Sequence, residues 1–559
     1  ITGCSTGYYR NKADKEVYDI LSSKELRLFG STNGFSVDTK YSHRDPLDIP
    51  AEELIEGRKL DGTNVTLNLV QALDLAVANN RSYQSRKEKL YLTALTLTLR
   101  RHDFAKKPLG QLAGGLVRES DTDLKGKIGD NEFGFKQAFQ TGGAISLNLA
   151  NDMVRFFTGD PRRSITTVIS ANLTQPILRG SSADVVAENL TQAERNVIYA
   201  IRDFALFQQT FSVEIVTDYF RLLQGQDEVR NSYNNYVRLV KTVEQAEAFY
   251  AAERMKLFQV DQAKQQRLSG RSSYIRAVQK YQAELDEFKK ELEIPVGVHL
   301  NIDASSLEEL QEIGLQLVRL PDRLGYEMAI TNKFDIINEI DRFEDSKRKI
   351  KVAADALRAN LTLLAGASLE NDATDYANFD PGNYKASVGL ELDLPFDRKS
   401  ERNTYRARLI EFERQLRSLT LTLDDAREAV REDLRELEQL RQNHEIQTAA
   451  LVLANKRVEV TPELFRAGKA QIRDLLEAQD AQLSAQNAVT AVLVDYLAAR
   501  LKFLVDIGVL NRDEDQWWLK NGQLLGTDPS PSAPDAEADI DGILTPEQVF
   551  EGRLAQETK

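Results

Sequence analysis

Asp474 and Glu477 stand three residues apart just after a break in a long helical pattern, so both carboxylates fall on one helix face. Such a pair offers charge: it attracts cations and can take up protons. The plain alternative is a solvated helix face. Other chemistry is sparse. The sequence holds no Walker A motif, no paired nucleophile and base, and no GxGxxG at a strand–helix junction. A single cysteine, Cys4, excludes an intrachain disulfide framework and Cys-based zinc sites, and four scattered histidines form no His-rich cluster. No enzymatic activity and no cofactor are expected. The net charge of -14 argues against a nucleic-acid partner.

The elements that must carry those carboxylates are unusually long. The chain has 559 residues, which at ~150 residues per domain would make three or four globular domains. The proline map argues otherwise. No proline lies between Pro176 and Pro295 or between Pro395 and Pro462, and both gaps are rich in strong helix formers. The pattern predicts one helix over 180–254 and another over 399–464, each ~100 Å long at ~1.5 Å per residue. Spacings such as Val430, Leu434, Leu437 and Leu440 give them an apolar stripe that needs partners along its length. Shorter return helices are expected over 262–293 and 472–507. Thr461-Pro462 suits a helix restart, and Gly468 a positive φ. No stretch of ~18 uncharged apolar residues exists, so a helical membrane span is excluded.

Segments of a different period precede each long helix. From Tyr384 to Leu394 every second residue is apolar, and Leu361–Leu369 and Ile165–Leu173 alternate likewise. Leu109–Val117 is a weaker fourth. Strands with one apolar face fit a membrane barrel, which needs ~9–11 residues per crossing; an amphipathic strand of a soluble sheet is the alternative. Phe133–Gln140 and Ala144–Leu149 flank a Thr-Gly-Gly turn and read as a further hairpin. The two halves repeat. Leu75–Tyr83 matches Met328–Ile336, and Leu173-Thr-Gln-Pro176 matches Leu392-Asp-Leu-Pro395.

On these residues the chain resembles the TolC-type outer-membrane efflux proteins (outer membrane factors), of the lipoprotein type. The resemblance rests on Ala72–Asn80, the strand-to-helix junctions at Pro176 and Pro395, and the turn Phe465–Ala478, and it covers roughly 65–510. It implies a mainly α fold with transmembrane β: a long α-helical barrel, or tunnel, plus a β-barrel shared by a homotrimer, each chain giving four strands. The divisions expected are a lipid-anchored N-terminal tail over 1–65 and a first repeat over 66–325. The first repeat has barrel strands about 109–175 and an equatorial segment 294–325. A second repeat over 326–510 has barrel strands about 361–396, and an acidic tail covers 511–559. The 133–149 hairpin departs from the family pattern and is placed outside the cell, above the first strand pair.

The resemblance also assigns roles. It implies an exit duct for small molecules in the outer membrane of a Gram-negative-type cell, with its tunnel in the periplasm. Its partners would be outer-membrane lipid, a periplasmic adaptor (membrane fusion) protein and an inner-membrane transporter. Phe465, Arg466, Gly468 and Lys469 would form the adaptor-docking turn. Asp474 and Glu477, with Asp261 as a weaker candidate from the first repeat, would ring the periplasmic constriction, select cations and, being crowded, titrate high. Arg466, Lys469 or Arg473 could help hold the mouth shut. Ile1-Thr-Gly-Cys4 resembles a lipobox, which makes Cys4 the lipid anchor. A duct for type I protein secretion would look the same, and a periplasmic structural coiled coil is the alternative of another class.

Overall fold

The computed structural model describes residues 5–32, 34–59, 64–118, 124–156, 163–371, 379–394, 396–513 and 516–520. Cys4, Pro395 and residues 521–559 of the acidic tail lie outside them. In chain order the first half holds α1 (Thr6–Phe29), α2 (Ala51–Arg58), β1 (Asn64–Leu67), α3 (Leu69–Asn79) and α4 (Arg81–His102). Then come β2 (Lys107–Gln111), β3 (Gly114–Arg118), β4 (Leu124–Ala138), β5 (Ala144–Phe156) and β6 (Arg163–Pro176). After α5 (Ala183–Val186), α6 (Glu188–Ala251) is followed by α7 (Leu257–Glu291), β7 (His299–Ile302) and α8 (Ser305–Ile313). The second half holds α9 (Asp322–Asn332), α10 (Phe334–Asp355), β8 (Asn360–Asn371), β9 (Phe379–Asp393), α11 (Lys399–Arg466), α12 (Ile472–Asp506) and α13 (Trp517–Lys520).

The long helices predicted from the proline gaps are α6, of 64 residues, and α11, of 68. α6 starts later than expected because the chain first makes a left-handed bend at Gly180 and the single turn α5. α1 begins at Thr6, where Ser5 caps it with its hydroxyl. Among the described residues no helix is long and apolar enough to cross a membrane.

The chain forms two compact units, and each draws on both sequence repeats. The first comprises residues 1–39, 85–205 and 334–424. Its helical core joins α1 (Val17, Ile20, Leu21) to α4 (Leu90, Ala94, Leu97) and α6 (Val197, Ile201). A buried charge network adds to it: Asp345, fully enclosed, accepts from Tyr199 Oη at 2.7 Å and pairs with Arg195 and Arg348, each at 2.6 Å. Burial of the Asp345 carboxylate makes this network costly to break by removing an arginine.

The sheet of this unit runs β2-β4-β5-β6-β8-β9, with β3 continuing beside β4. Among the described residues the sheet therefore has six strand positions, which corrects the expected four. The added pair is β4–β5, the 133–149 hairpin, and its placement is corrected too. β5 pairs with β6 over its whole length, so the hairpin lies within the sheet. Its turn meets the strand-to-helix junction: a Cβ on Gly142 would overlap the Gly180 carbonyl oxygen and crowd Pro176 and Val186. The hairpin thus closes at the helix end of the sheet, not above the opposite rim.

Register makes the alternation collective. Phe133, Leu149, Ile169, Leu369 and Tyr384 lie side by side across β4, β5, β6, β8 and β9. Phe135, Leu147, Ala171, Ala367 and Ala386 form the next row. Ile145, Leu173, Ala365 and Val388 follow, with Val388 80% exposed and Leu390 66%. Beyond Leu149 and Ile169 the same face ends in a polar row: Asn151 Nδ2 donates to Thr167 Oγ1 at 2.7 Å, and the Thr167 N–H to Asn371 Oδ1 at 2.7 Å. The opposite face is polar, with Asn148, Ser170, Ser368 and Lys385 in one row. β9 places Lys385 and Glu391 on that polar side, Lys385 pairing with Glu370 at 3.4 Å. Among the described residues the two end strands, β2 and β9, each keep an unpaired edge.

The second unit comprises residues 40–84, 206–333 and 425–559. β1 and β7 pair in parallel, and the unit also holds α2, α3, α7, α8, α9, α12 and the second parts of α6 and α11.

Candidate functional site

The site is built at the turn between α11 and α12. α11 continues through Pro462, which corrects the expected restart there. A proline there gives up its N–H bond and crowds the carbonyl four residues back, and the helix continues for one more turn with the Thr461 hydroxyl donating to the Arg457 carbonyl at 2.6 Å. The helix stops at Gly468, whose φ of 73° lets its N–H reach the Phe465 carbonyl at 3.0 Å while the Lys469 N–H reaches Leu464 at 2.8 Å. Gln471 then caps α12, and its N–H donates to Asp474 Oδ2 at 2.9 Å. Asp474 is thus a capping carboxylate as well as a charge. Glu477, 56% exposed, is flanked by Arg457 at 3.3 Å and Arg473 at 3.6 Å.

The turn between α6 and α7 has the same construction with different residues. Glu253 takes φ 59° in the place of Gly468. Its N–H bonds the Tyr250 carbonyl at 2.9 Å, and the Arg254 N–H bonds Phe249 at 2.8 Å. The Lys256 N–H donates to Gln259 Oε1 at 3.1 Å, as Gln471 does to Asp474. Matched on these bonds, Gln259 corresponds to Asp474 and Gln262 to Glu477. Asp261 corresponds to the buried Leu476, which corrects its assignment as the first-repeat counterpart of the constriction carboxylates. A left-handed non-glycine residue costs about 1 kcal/mol, and Glu253 is exposed with its side chain free of any steric role. Glu253→Gly is therefore expected to raise stability by up to about 1 kcal/mol; a loss in a denaturant titration contradicts this.

Phe465 is corrected from docking surface to core. It is 5% exposed and lies in one cluster with Leu239, Val243 and Ala246 of α6, Val260 and Ala263 of α7, and Ile472, Leu475 and Leu476 of α12. Its ring is 5.4 Å from that of Phe249. The apolar cluster clamps the two turns together, which leaves Arg466, Gly468 and Lys469 as the exposed surface.

Sequence reasoning missed a polar seam just beyond that cluster. Thr242 meets Gln479 at 3.1 Å, Asn231 meets Asn487 at 3.0 Å, and Asp227 meets Thr490 at 3.0 Å, all between α6 and α12. The signal was available: Asp227, Asn231, Asn235, Arg238 and Thr242 repeat at the spacing of a buried helix stripe. Among the described residues no group of three or more His, Cys, Asp or Glu could hold a metal.

Residues 325–503, which include α9 to most of α12, match the family model described as outer membrane efflux protein. That stretch is an outer membrane efflux protein domain. The fold of the efflux domain and of the first repeat together matches solved outer-membrane channels. VceC of Vibrio cholerae is 14% identical with a TM-score of 0.57, over 79% of this chain and 96% of that one. CmeC of Campylobacter jejuni is 14% identical with a TM-score of 0.57, over 80% and 87%. CusC, whose structures concern folding and transmembrane channel formation, is 12% identical with a TM-score of 0.56, over 79% and 92%. No curated protein matches the chain by sequence. The six-strand sheet and the paired helix turns are thus an outer-membrane channel fold, and its efflux domain carries both Asp474 and Glu477.

Proposed function

We propose that this protein is the outer-membrane exit duct of a tripartite export system, working as a homotrimer with a periplasmic adaptor and an inner-membrane transporter. The observation that carries the reading is the sheet. Two of its apolar rows run unbroken across five strands, its other face is polar, and among the described residues both edges are unpaired. Lipid tolerates apolar faces but not open edges, so such a sheet suits a barrel closed by further copies. Cys4 as a lipid anchor belongs to the same reading; an unmodified thiol there, by mass spectrometry of protein from native membranes, removes it.

In the duct, Asp474 and Glu477 line the periplasmic constriction. They are not equivalent. Arg457 and Arg473 offset Glu477, whereas Asp474 has only its capping bond to Gln471. Reconstituted protein should show discrete, cation-preferring conductance in planar bilayers. Asp474→Asn, which keeps an oxygen for the cap, should lower that preference more than Glu477→Gln. A chain that extracts without detergent and never conducts, even with both carboxylates neutralised, is a structural coiled-coil protein instead.

A further inference from the structure

The end of α12 remote in sequence from the turn is tied down by charge. Asp433 of α11 is 2% exposed, and its Oδ1 accepts from Lys502 Nζ of α12 at 2.8 Å. One turn on, Asp506 pairs with Lys333, at the α9–α10 junction, at 2.8 Å. Glu436 stands 3.9 Å from Lys502. Asp433 Oδ2 is buried with no hydrogen-bond donor, and Asp506, one turn from Lys502 on the same face of α12, acts on the Asp433 carboxyl. Two carboxylates therefore face each other in a low-dielectric gap, with one lysine on each. The charges around them are Glu214, Asp218 and Arg221 of α6 and Asp495 of α12, which line the adjoining cavity with Glu436 and Lys502, and the Arg431–Asp322 pair on the α9 side.

We propose that Asp433 and Asp506 form a proton-operated latch that fastens the C-terminal end of α12 to α11 on acidification and loosens it at neutral pH. A proton on Asp433 supplies the donor that Oδ2 lacks. It makes a carboxyl–carboxylate hydrogen bond to Asp506, which Lys333 holds from the other side at 2.8 Å, while Lys502 turns to Glu436. Without the proton, two anions oppose each other and Oδ2 is stranded. Burial first, then Asp506, push Asp433 up to about 6 against the pull of Lys502. A carboxyl raised on folding stabilises the fold fully below its unfolded value of 3.8 and loses that contribution as pH rises through about 6. The latch therefore tightens across the mildly acidic range. It acts on the helix that carries Asp474 and Glu477, but the inference stands whether or not the chain conducts.

Hydrogen exchange followed by mass spectrometry tests it on the full chain in detergent, with labelling times scaled for intrinsic exchange. Peptides covering the last turns of α12 should gain protection several-fold from pH 7.5 to 5.5, while those at the α11–α12 turn serve as an internal reference. Asp433→Asn, which mimics the protonated group, should be protected at both pH values and show no pH dependence. Should that variant misfold, Asp506→Asn replaces it: loss of the facing negative charge should move the wild-type midpoint down by about one unit, a tenfold change in proton affinity. Protection that is flat or falls on acidification in the wild type, or an unaltered pH profile in the substituted chain, overturns the latch.

Discussion

Gly142→Ala should cost the fold roughly 3 kcal/mol, about 1 from the left-handed backbone and the rest from forced separation of packed segments. Gly142 holds φ 80° in the β4–β5 turn, where its N–H bonds the Phe139 carbonyl at 2.9 Å. What a Cβ there would meet is main chain, the Gly180 carbonyl, so no side chain can rotate away. Gly180 in turn donates its N–H to Asp355 Oδ2 at 2.7 Å, which ties the junction to the end of α10. The comparison that isolates the effect is Gly468→Ala. Its φ is 73° with open space around it, so only about 1 kcal/mol should be lost. Guanidinium unfolding of the detergent-extracted protein reads both. Equal losses at the two glycines would show that the hairpin turn is not seated on the junction.

Phe465→Ala should be the most damaging change near the α11–α12 turn, at roughly 3–5 kcal/mol for a large buried ring. The ring is 5% exposed and packs on Phe249, so its loss opens a void between both helical turns. Arg466→Ala and Lys469→Ala, with exposed side chains, should leave stability within about 0.5 kcal/mol. In the duct reading those two weaken adaptor binding instead. A Phe465→Ala chain as stable as the wild type, by the same titration, would sink the account of the cluster as a clamp.

Much of this was legible in the sequence because it depends on local pattern. Proline spacing located α6 and α11, and period-two alternation located β6, β8 and β9, since both signals act within one segment. The hairpin was recognised from its Thr-Gly-Gly turn, but which end of the sheet that turn occupies depends on pairing with β6, which no local pattern encodes. Part of β4 also carries lysine, glycine and acidic residues that hide its strand character. At the turns, Gly468 announced a positive φ, whereas nothing in a glutamate announces that Glu253 adopts one. Asp261 was chosen for its charge; the backbone bonds around Glu253 set the true correspondence and point to Gln259 and Gln262. Phe465 was assigned to a surface through the family resemblance, against its own hydrophobicity, and the hydrophobicity decided its place.

The two unpaired edges of the sheet have a genetic consequence. A copy whose β9 edge is spoiled, by a proline for instance, can still pair through its other end strand and so enter an assembly it prevents from closing. In the homotrimer proposed above, a cell making equal amounts of sound and spoiled chains would hold sound copies alone in only roughly one in eight assemblies. Lesions at these edges should therefore be dominant over the intact allele. Lesions that unfold the chain before it meets another copy should be recessive.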